Sequence, residues 1–187
     1  MSRAFSPARF WYKLRSVRVL GVDCGSELTG YGVVEQGNGR TLTCLSAGVI
    51  RFSRRDLLPR RLAHVFDELS GIIRAHHPDV VAIEDVFYAL NAKSALKLGH
   101  VRGVAMLAAA AQGLEVAEYA PLAIKSAVVG YGRAEKSQVQ QMVKRLLHLE
   151  EAPEPPDIAD ALAIAICHLH TAATLERQAA GGRRARR

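Results

Sequence analysis

Four carboxylates lie at the edges of apolar segments of this chain. Asp23 and Glu84 each end a short apolar run, whereas Asp157 and Asp160 precede the apolar run over residues 161–166. An acid at the edge of a core element is costly to desolvate unless a cation or hydrogen-bond donors compensate for it. No Arg or Lys adjoins any of the four acids in sequence, so the pattern predicts one shared acidic pocket.

A pocket of this kind requires a compensating charge. Two like charges ~4 Å apart repel by about 4 kcal/mol at an effective dielectric constant of about 20. The cluster therefore needs a divalent metal ion or carboxylates with strongly raised pKa values. Oxygen ligands alone favour a hard ion, Mg²⁺ or Mn²⁺. The chemistry that commonly uses such a site is metal-assisted displacement at phosphorus.

Each acid also has an ordinary structural explanation. Asp23 could belong to a tight hairpin turn, and Glu84 could face solvent at the end of a strand. Asp157 follows Pro156 and would suit the first turn of a helix, where the dipole alone is worth ~0.3–1 kcal/mol. Asp160 is harder to explain in this way, because it shares a helical face with Asp157 and is followed by apolar sequence. The combination is therefore much more specific than any one acid.

Charge is concentrated at the two ends of the chain. The length of 187 residues fits one domain with tails and allows a proper hydrophobic core. Residues 1–16 contain four basic and no acidic residues, and residues 183–187 contain four arginines. These eight charges exceed the net charge of +7 by one, so the segment between them has a net charge of −1. If this body binds nucleic acid, it must do so through a local basic patch.

Composition also limits the cellular context. The three cysteines show no CxxC spacing, which argues against a disulfide framework and a zinc site and favours the cytoplasm. No apolar stretch is expected to approach membrane-spanning length. Residues 1–16 lack a long apolar segment before a cleavage site and predict a basic N-terminal extension. Residues 176–187 predict a basic disordered tail, which leaves residues 17–175 as the folded domain.

The spacing of apolar residues predicts a mixed sheet. Three consecutive strands with tight turns predict an antiparallel meander, whereas the later strands, which helices connect, should be parallel. The expected class is therefore α/β, with a five-stranded mixed sheet and helices on both faces. The predicted strands cover residues 17–23, 29–35, 41–50, 80–84 and 116–119. The predicted helices cover residue 59 to before residue 77, then 92–112, 121–129, 135–149 and residue 157 onward.

A series of motifs along residues 17 to 175 resembles the RuvC family of Holliday-junction resolvases, which have a ribonuclease-H-like fold. The matching segments are residues 20–23, 29–33, 83–87, 91–99, 102–103, 125, 128–130, 134–139 and 157–163. The resemblance implies catalytic metal ligands at Asp23, Glu84, Asp157 and Asp160. We expect two Mg²⁺ or Mn²⁺ ions per active site, bridged by Asp23.

Three residues depart from the family pattern. Cys24 stands where the family usually has Pro, which loosens the turn after Asp23 and adds an oxidisable thiol. Leu90 replaces what is usually a basic residue and so removes one expected phosphate contact. His100 stands where Gln is usual. None of the three is an expected metal ligand, so the reaction itself is expected to be unaffected.

Aromatic and basic residues near the acids predict a DNA-binding surface. Phe87 and Tyr88 follow Glu84 on a loop and could pack on the sheet, or could stack on an unpaired base at ~1–3 kcal/mol per base. Phe87 matches the stacking aromatic residue of the family. Lys93 and Lys97 share a helical face that is either simply solvated or bound to DNA. Further matches to basic positions of the family that line its DNA cleft are Lys125, Arg133 and Lys136.

Small residues on the same helix predict a dimer interface. Ala95, Gly99 and Gly103 recur at every fourth position, and glycine inside a helix costs roughly 1 kcal/mol relative to alanine. Close approach of another helix would explain them, either within the monomer or across a two-fold axis. The resemblance favours a homodimer, because two symmetric cuts in a four-way junction need two sites related by two-fold symmetry.

The function implied by the resemblance is resolution of four-way junctions by paired symmetric nicks. The implied partners are four-way junction DNA, a second copy of the chain and a branch-migration motor complex of the RuvA and RuvB type; no membrane partner is expected. An ATP-binding domain of the actin and hexokinase type competes, because its first phosphate loop resembles residues 23–26. That fold needs a duplicated second domain, for which the chain is too short. A non-catalytic junction-binding module is disfavoured by the intact set of four acids.

Overall fold

One mixed β-sheet organises the structure, a computed structural model that describes residues 16–25, 27–37, 41–53, 55–85 and 92–184. The strand order is β3-β2-β1-β4-β5. Strands β1 to β3 pair antiparallel, whereas β4 pairs parallel with both β1 and β5. The strands are β1 (Val17–Cys24), β2 (Leu28–Gln36), β3 (Leu42–Arg51), β4 (Val80–Glu84) and β5 (Glu115–Tyr119). The predicted mixed sheet with an antiparallel meander is confirmed.

Five helices are described, and their bounds lie close to the predicted ones. The helix predicted over residues 135–149 ends earlier, at Leu146, because the chain turns there and His148 has a left-handed φ of 53°. The predicted hairpin turn at residues 36–39 lies partly outside the described residues. The helices are α1 (Leu58–His76), α2 (Ala92–Ala110), α3 (Pro121–Val129), α4 (Lys136–Leu146) and α5 (Pro156–Arg184).

A hydrophobic core lies on each face of the sheet, between the strands and the helices that cover that face. Successive side chains of a strand point to opposite faces, so Val19 and Ala82 belong to the core that α3, α4 and α5 cover. Leu20 and Val81 belong to the core under α1 and α2. Helices therefore cover both faces, as predicted. The alternation of side chains along β1 and β4 thus determines which of the two cores a residue at the end of each strand faces.

Helix α5 differs from expectation in its hydropathy. Over Pro156–Leu175 it is long and apolar enough to cross a membrane by length and composition alone, with a mean hydropathy of 1.5. In the structure half of that segment is buried inside the protein, and Leu162, Ile164 and Ile166 are fully buried in the core. Its apolar character is therefore that of a core helix packed across β1 and β2, and the expectation of no such stretch was wrong.

Helix α5 also extends further than predicted. The tail over residues 176–187 was expected to be disordered, yet the backbone is helical to Arg184. Most residues of this segment are good helix formers, such as Ala, Arg, Gln and Glu, and the preceding core helix removes the cost of starting a new helix. The N-terminal extension lies outside the described residues except for Ser16.

Candidate active site

The register of the sheet brings two of the predicted acids to one edge. Strands β1 and β4 are parallel neighbours, and Val22 lies opposite Ile83. Asp23 and Glu84 are the next residues on the two strands, so both side chains point to the face opposite that of Val22 and Ile83. That face is covered by α5, which carries the other two acids.

Glycines in β1 and β2 allow α5 to lie very close to the sheet. A Cβ atom added at Gly30 would overlap the backbone carbonyl oxygen of Asp157, and one added at Gly32 would lie 2.6 Å from Cδ2 of Leu162. Gly30 is also the β2 partner of Asp23. Glycine inside a strand often marks such an approach. The glycines therefore place the first turn of α5 beside Asp23, a role that their positions within a strand could have signalled.

The four acids form one electrostatic cluster. The pKa of Asp23 is raised from 3.8 to about 7, first by burial and then by the charges of Asp160, Glu84 and Asp157, in that order. Burial and the charge of Asp160 likewise raise the pKa of Glu84. The other three acids thus disfavour ionisation of Asp23, as expected for like charges in a partly buried pocket. The structure brings all four predicted acids together.

Lysines supply part of the compensating charge. Nζ of Lys136 donates to Oδ2 of Asp160 at 3.1 Å, and this hydrogen bond raises the pKa of Lys136. Lys136 begins α4 beside a capping box, in which Gln138 accepts from the backbone N–H of Glu135 at 2.9 Å. Lys136 and Lys125 both act against the raised pKa of Glu84. Two of the predicted phosphate-binding lysines are therefore within electrostatic range of the acids.

The four acids have the donor atoms that a hard divalent ion prefers, although their side chains are not already arranged as a metal site. In the described part of the chain, no three acidic, histidine or cysteine side chains are arranged to hold a metal ion. The four acids nevertheless offer only oxygen donors. Burial and then the neighbouring acids raise the pKa of Asp23, and a bound cation would favour its ionised form.

Cys24 lies beside the cluster but is not a reactive thiol here. Burial raises the pKa of its thiol to about 12, and the neighbouring charge of Asp23 acts in the same direction. The thiol is therefore protonated at neutral pH. The departure from the usual Pro thus introduces no additional anionic ligand next to Asp23.

Arg102 is a site residue that the sequence reasoning did not identify as such. From α2 it donates to the backbone carbonyl of Glu84 through Nε at 3.3 Å and to Oδ1 of Asp85 through Nη2 at 3.3 Å. It also forms an ion pair with Glu118 on β5. Arg102 occurs in one of the matching motifs, but no spacing rule indicates that it reaches the ends of two strands.

The remaining predicted DNA contacts fall into three groups. Lys97 and Arg133 are exposed, and Lys125 is half-buried. Phe87, Tyr88 and the altered position Leu90 lie outside the described residues. Lys93 belongs to α2, with no description of its side chain, and the altered position His100 is exposed on the same helix.

Two of the three small-residue positions of α2 face away from the rest of the described monomer. Gly99 and Gly103 are exposed, and a Cβ atom added at either would have no neighbour within 4 Å. Ala95 is half-buried. Leu96 and Leu107 lie on the same exposed face and leave 64% and 58% of their surface open. Packing against the described residues of the monomer therefore does not explain the glycines. The two leucines were missed because periodicity alone does not show which face is covered.

The fold and the site together define a class of proteins. A five-stranded mixed sheet of order β3-β2-β1-β4-β5 with helices on both faces is the arrangement of ribonuclease-H-like proteins. Comparison with known families makes the assignment specific. The family model described as crossover junction endodeoxyribonuclease RuvC matches residues 19–168, and the chain belongs to this family.

Individual relatives agree with the family assignment. The crossover junction endodeoxyribonuclease RuvC of Koribacter versatilis is 68% identical over 161 residues, which are 86% of this chain and 97% of the relative. The structure of T. thermophilus RuvC in complex with Holliday junction substrate has a TM-score of 0.78 at 30% identity, covering 84% and 96% of the two chains. The yeast mitochondrial Holliday junction resolvase Ydc2 has a TM-score of 0.66 at 16% identity, covering 88% and 84%, and shares the fold.

Proposed function

We propose that this protein is a metal-dependent endonuclease that resolves four-way DNA junctions by paired, symmetric nicks. The observation that carries the proposal is the convergence of the acids at the ends of β1 and β4 with the acids of α5, which raise the pKa of Asp23 and Glu84 together with burial, in a chain of the RuvC family. An acidic cluster kept at this cost, in a pocket bordered by lysines, suits a reaction at a phosphate better than it suits fold stability.

The chemistry assigns a role to each side chain of the cluster. Asp23 would bind Mg²⁺ or Mn²⁺, two ions per site, together with the other three acids. When bound, such ions supply an activated water and neutralise charge on the leaving oxygen. Lys136 would leave Asp160 and, with Lys125, compensate negative charge at the scissile phosphate. The expected products carry 5′-phosphate and 3′-hydroxyl ends, which a ligase can rejoin.

Basic residues around the acids would bind the arms of the junction. Lys97 and Arg133 are exposed and would contact phosphates, which orient a protein on DNA without reading its sequence. Lys93 is proposed for the same role. Phe87 would stack on an unpaired base at the junction centre, with Tyr88 beside it. Recognition would thus combine local phosphate contacts with the distorted shape of the junction.

A homodimer would present two such sites to one junction. The exposed stripe on α2, which we call the α2 stripe, consists of Leu96, Gly99, Gly103 and Leu107. The glycines would let two copies of α2 approach closely, and the leucines would bury apolar surface that the monomer leaves open. Ala95 borders this stripe. A two-fold axis through it would give the paired geometry that symmetric cutting needs.

The proposed setting is homologous recombination and DNA repair in the cytoplasm. There the junction would be delivered by a branch-migration motor complex of the RuvA and RuvB type. This partnership follows from membership of the family, and the α2 stripe is not assigned to it. A pull-down with purified motor proteins on a junction, compared with a linear duplex, would test the partnership separately from cleavage.

The experiment that tests the function compares DNA structures at equal concentration. Purified protein is incubated separately with a labelled four-way junction, with a linear duplex of the same sequence, and with ATP. Each incubation is run once with Mg²⁺ and once with EDTA. We expect nicks at symmetric positions of the junction only, and only with the metal. Junction binding without any cleavage would support a binding module instead. Hydrolysis of ATP with an intact junction would support the ATP-binding alternative.

A further inference from the structure

Arg102 connects α2 to the strand end that presents Glu84. Its guanidinium donates to the backbone carbonyl of Glu84 and to the carboxylate of Asp85, and it pairs with Glu118 of the neighbouring strand. Only 19% of the Arg102 side chain is exposed, against 40% for Asp85 and 44% for Glu118. The guanidinium is thus the most enclosed member of this group, and its contacts span two adjacent strands.

The contacts suit an arginine and no other cation. Guanidinium is planar and presents several N–H donors in a fixed fork, whereas an ammonium group is a compact point charge. Nε faces the carbonyl of Glu84 while Nη2 serves both acids, so one rigid group holds three acceptors in a defined arrangement. Asp85 also donates its backbone N–H to the carbonyl of Tyr119 at 2.8 Å. The backbone around Glu84 is therefore held from α2 and from β5.

We propose that Arg102 is a positioning residue: it fixes the backbone at the end of β4 so that the carboxylate of Glu84 points at the divalent metal ion. The inference rests on the proposed function and adds a residue that lies outside the ligand set. Arg102 touches neither DNA nor metal in this role. It acts through the carbonyl of the residue whose side chain is the ligand, as outer groups around metal sites commonly do.

A purely electrostatic role for Arg102 predicts the opposite result. A positive charge close to an acidic pocket repels a divalent cation, so its removal would strengthen metal binding if charge alone mattered. Loss of positioning would weaken metal binding, because Glu84 would no longer be held toward the ion. Arg102→Lys separates the two effects further, because it keeps the charge and loses the fork.

The test is calorimetric titration of the free protein with Mn²⁺, without DNA. We expect Arg102→Lys and Arg102→Gln each to weaken Mn²⁺ binding about 10-fold or more, the usual scale for losing an outer group. Arg74→Gln is the matched control, because Arg74 is exposed near the end of α1, away from the acids. The Mn²⁺ affinity of this variant should equal that of the wild type. Single-turnover cleavage should fall in parallel for the Arg102 variants, with junction affinity unchanged.

Several outcomes overturn the inference. Wild-type affinity in Arg102→Lys, or tighter binding in Arg102→Gln, would leave only an electrostatic role. If both variants fail to fold, Glu118→Ala and hydrogen exchange at the Asp85 amide give a second measurement without metal. Faster exchange at Asp85, with Val81 unchanged, supports positioning, and unchanged exchange rejects it. A wild type that binds no Mn²⁺ would overturn the proposed function together with this inference.

Discussion

Replacing Asp23 by Asn should stabilise the metal-free protein at alkaline pH. In the folded state, burial and the neighbouring acids raise the pKa of Asp23 from 3.8 to about 7. Between these pH values the unfolded chain releases the proton while the folded protein retains it. The wild type therefore loses stability as the pH rises through this interval. The Asn variant has no carboxyl group at this position and escapes that loss.

The size of the effect follows from the two pKa values. The interval from 3.8 to about 7 corresponds to about 4 kcal/mol of unfolding free energy at about 1.4 kcal/mol per pH unit. This is an upper value, because the carboxylates can move apart in the metal-free protein. We expect the unfolding free energy of Asp23→Asn to exceed that of the wild type by about 2–4 kcal/mol at pH 8 and by almost nothing near pH 4.

The assay is urea denaturation in EDTA at pH values from 4 to about 8, for both proteins. Asp67→Asn, at an exposed position on α1, is the control for removing a carboxylate outside the cluster. Addition of Mg²⁺ should then stabilise the wild type more than Asp23→Asn, because a ligand that binds only the folded state stabilises it. A stability difference that is flat with pH, or that grows toward pH 4, would refute the clustering of the acids.

Three further variants test other parts of the account. Gly30→Ala would overlap the backbone of Asp157, so it should lower the unfolding free energy by ~1–3 kcal/mol and reduce cleavage. Gly71→Ala, whose added Cβ meets no neighbour within 4 Å, should do neither. Equal melting temperatures of the two variants would argue against the close approach of α5 to the sheet. Gly99→Leu should give a folded monomer by light scattering with helical circular dichroism, and a persistent dimer would exclude the α2 stripe as the interface. Deletion of residues 1–16 and 183–187 should weaken binding to any DNA and flatten its salt dependence, while loss of junction preference on deletion would place recognition in the tails.

The strands and the four acids could be predicted because their signals are local. A buried strand that ends in an acid appears as an apolar run followed by Asp23 or Glu84, and the alternation of side chains then fixes the face. Asp157 and Asp160 share a helical face by their spacing of three residues. The parallel pairing of β4 with β5 followed from the helix between them.

The packing around these acids could not be predicted, because it depends on residues distant in sequence. In the sequence Gly30 is only a glycine within a predicted strand, and its contact with α5 becomes visible only in the structure. Arg102 contacts residues 16 to 18 positions away on two strands, and Lys136 contacts Asp160 at a separation of 24; neither spacing has a helical or strand period. The extent of α5 was missed because glycines near its end suggested a tail.

The most direct test of the account is cleavage by four single variants at saturating junction DNA. Asp23→Asn, Glu84→Gln, Asp157→Asn and Asp160→Asn each remove one carboxylate while leaving the shape of the side chain nearly unchanged. The account predicts that every variant still binds the junction but loses single-turnover cleavage by about 100-fold or more, the scale of losing a group that stabilises charge in the transition state. Asp67→Asn should cleave like the wild type. A variant of the four that cleaves at the wild-type rate would contradict the claim that these acids form one catalytic site.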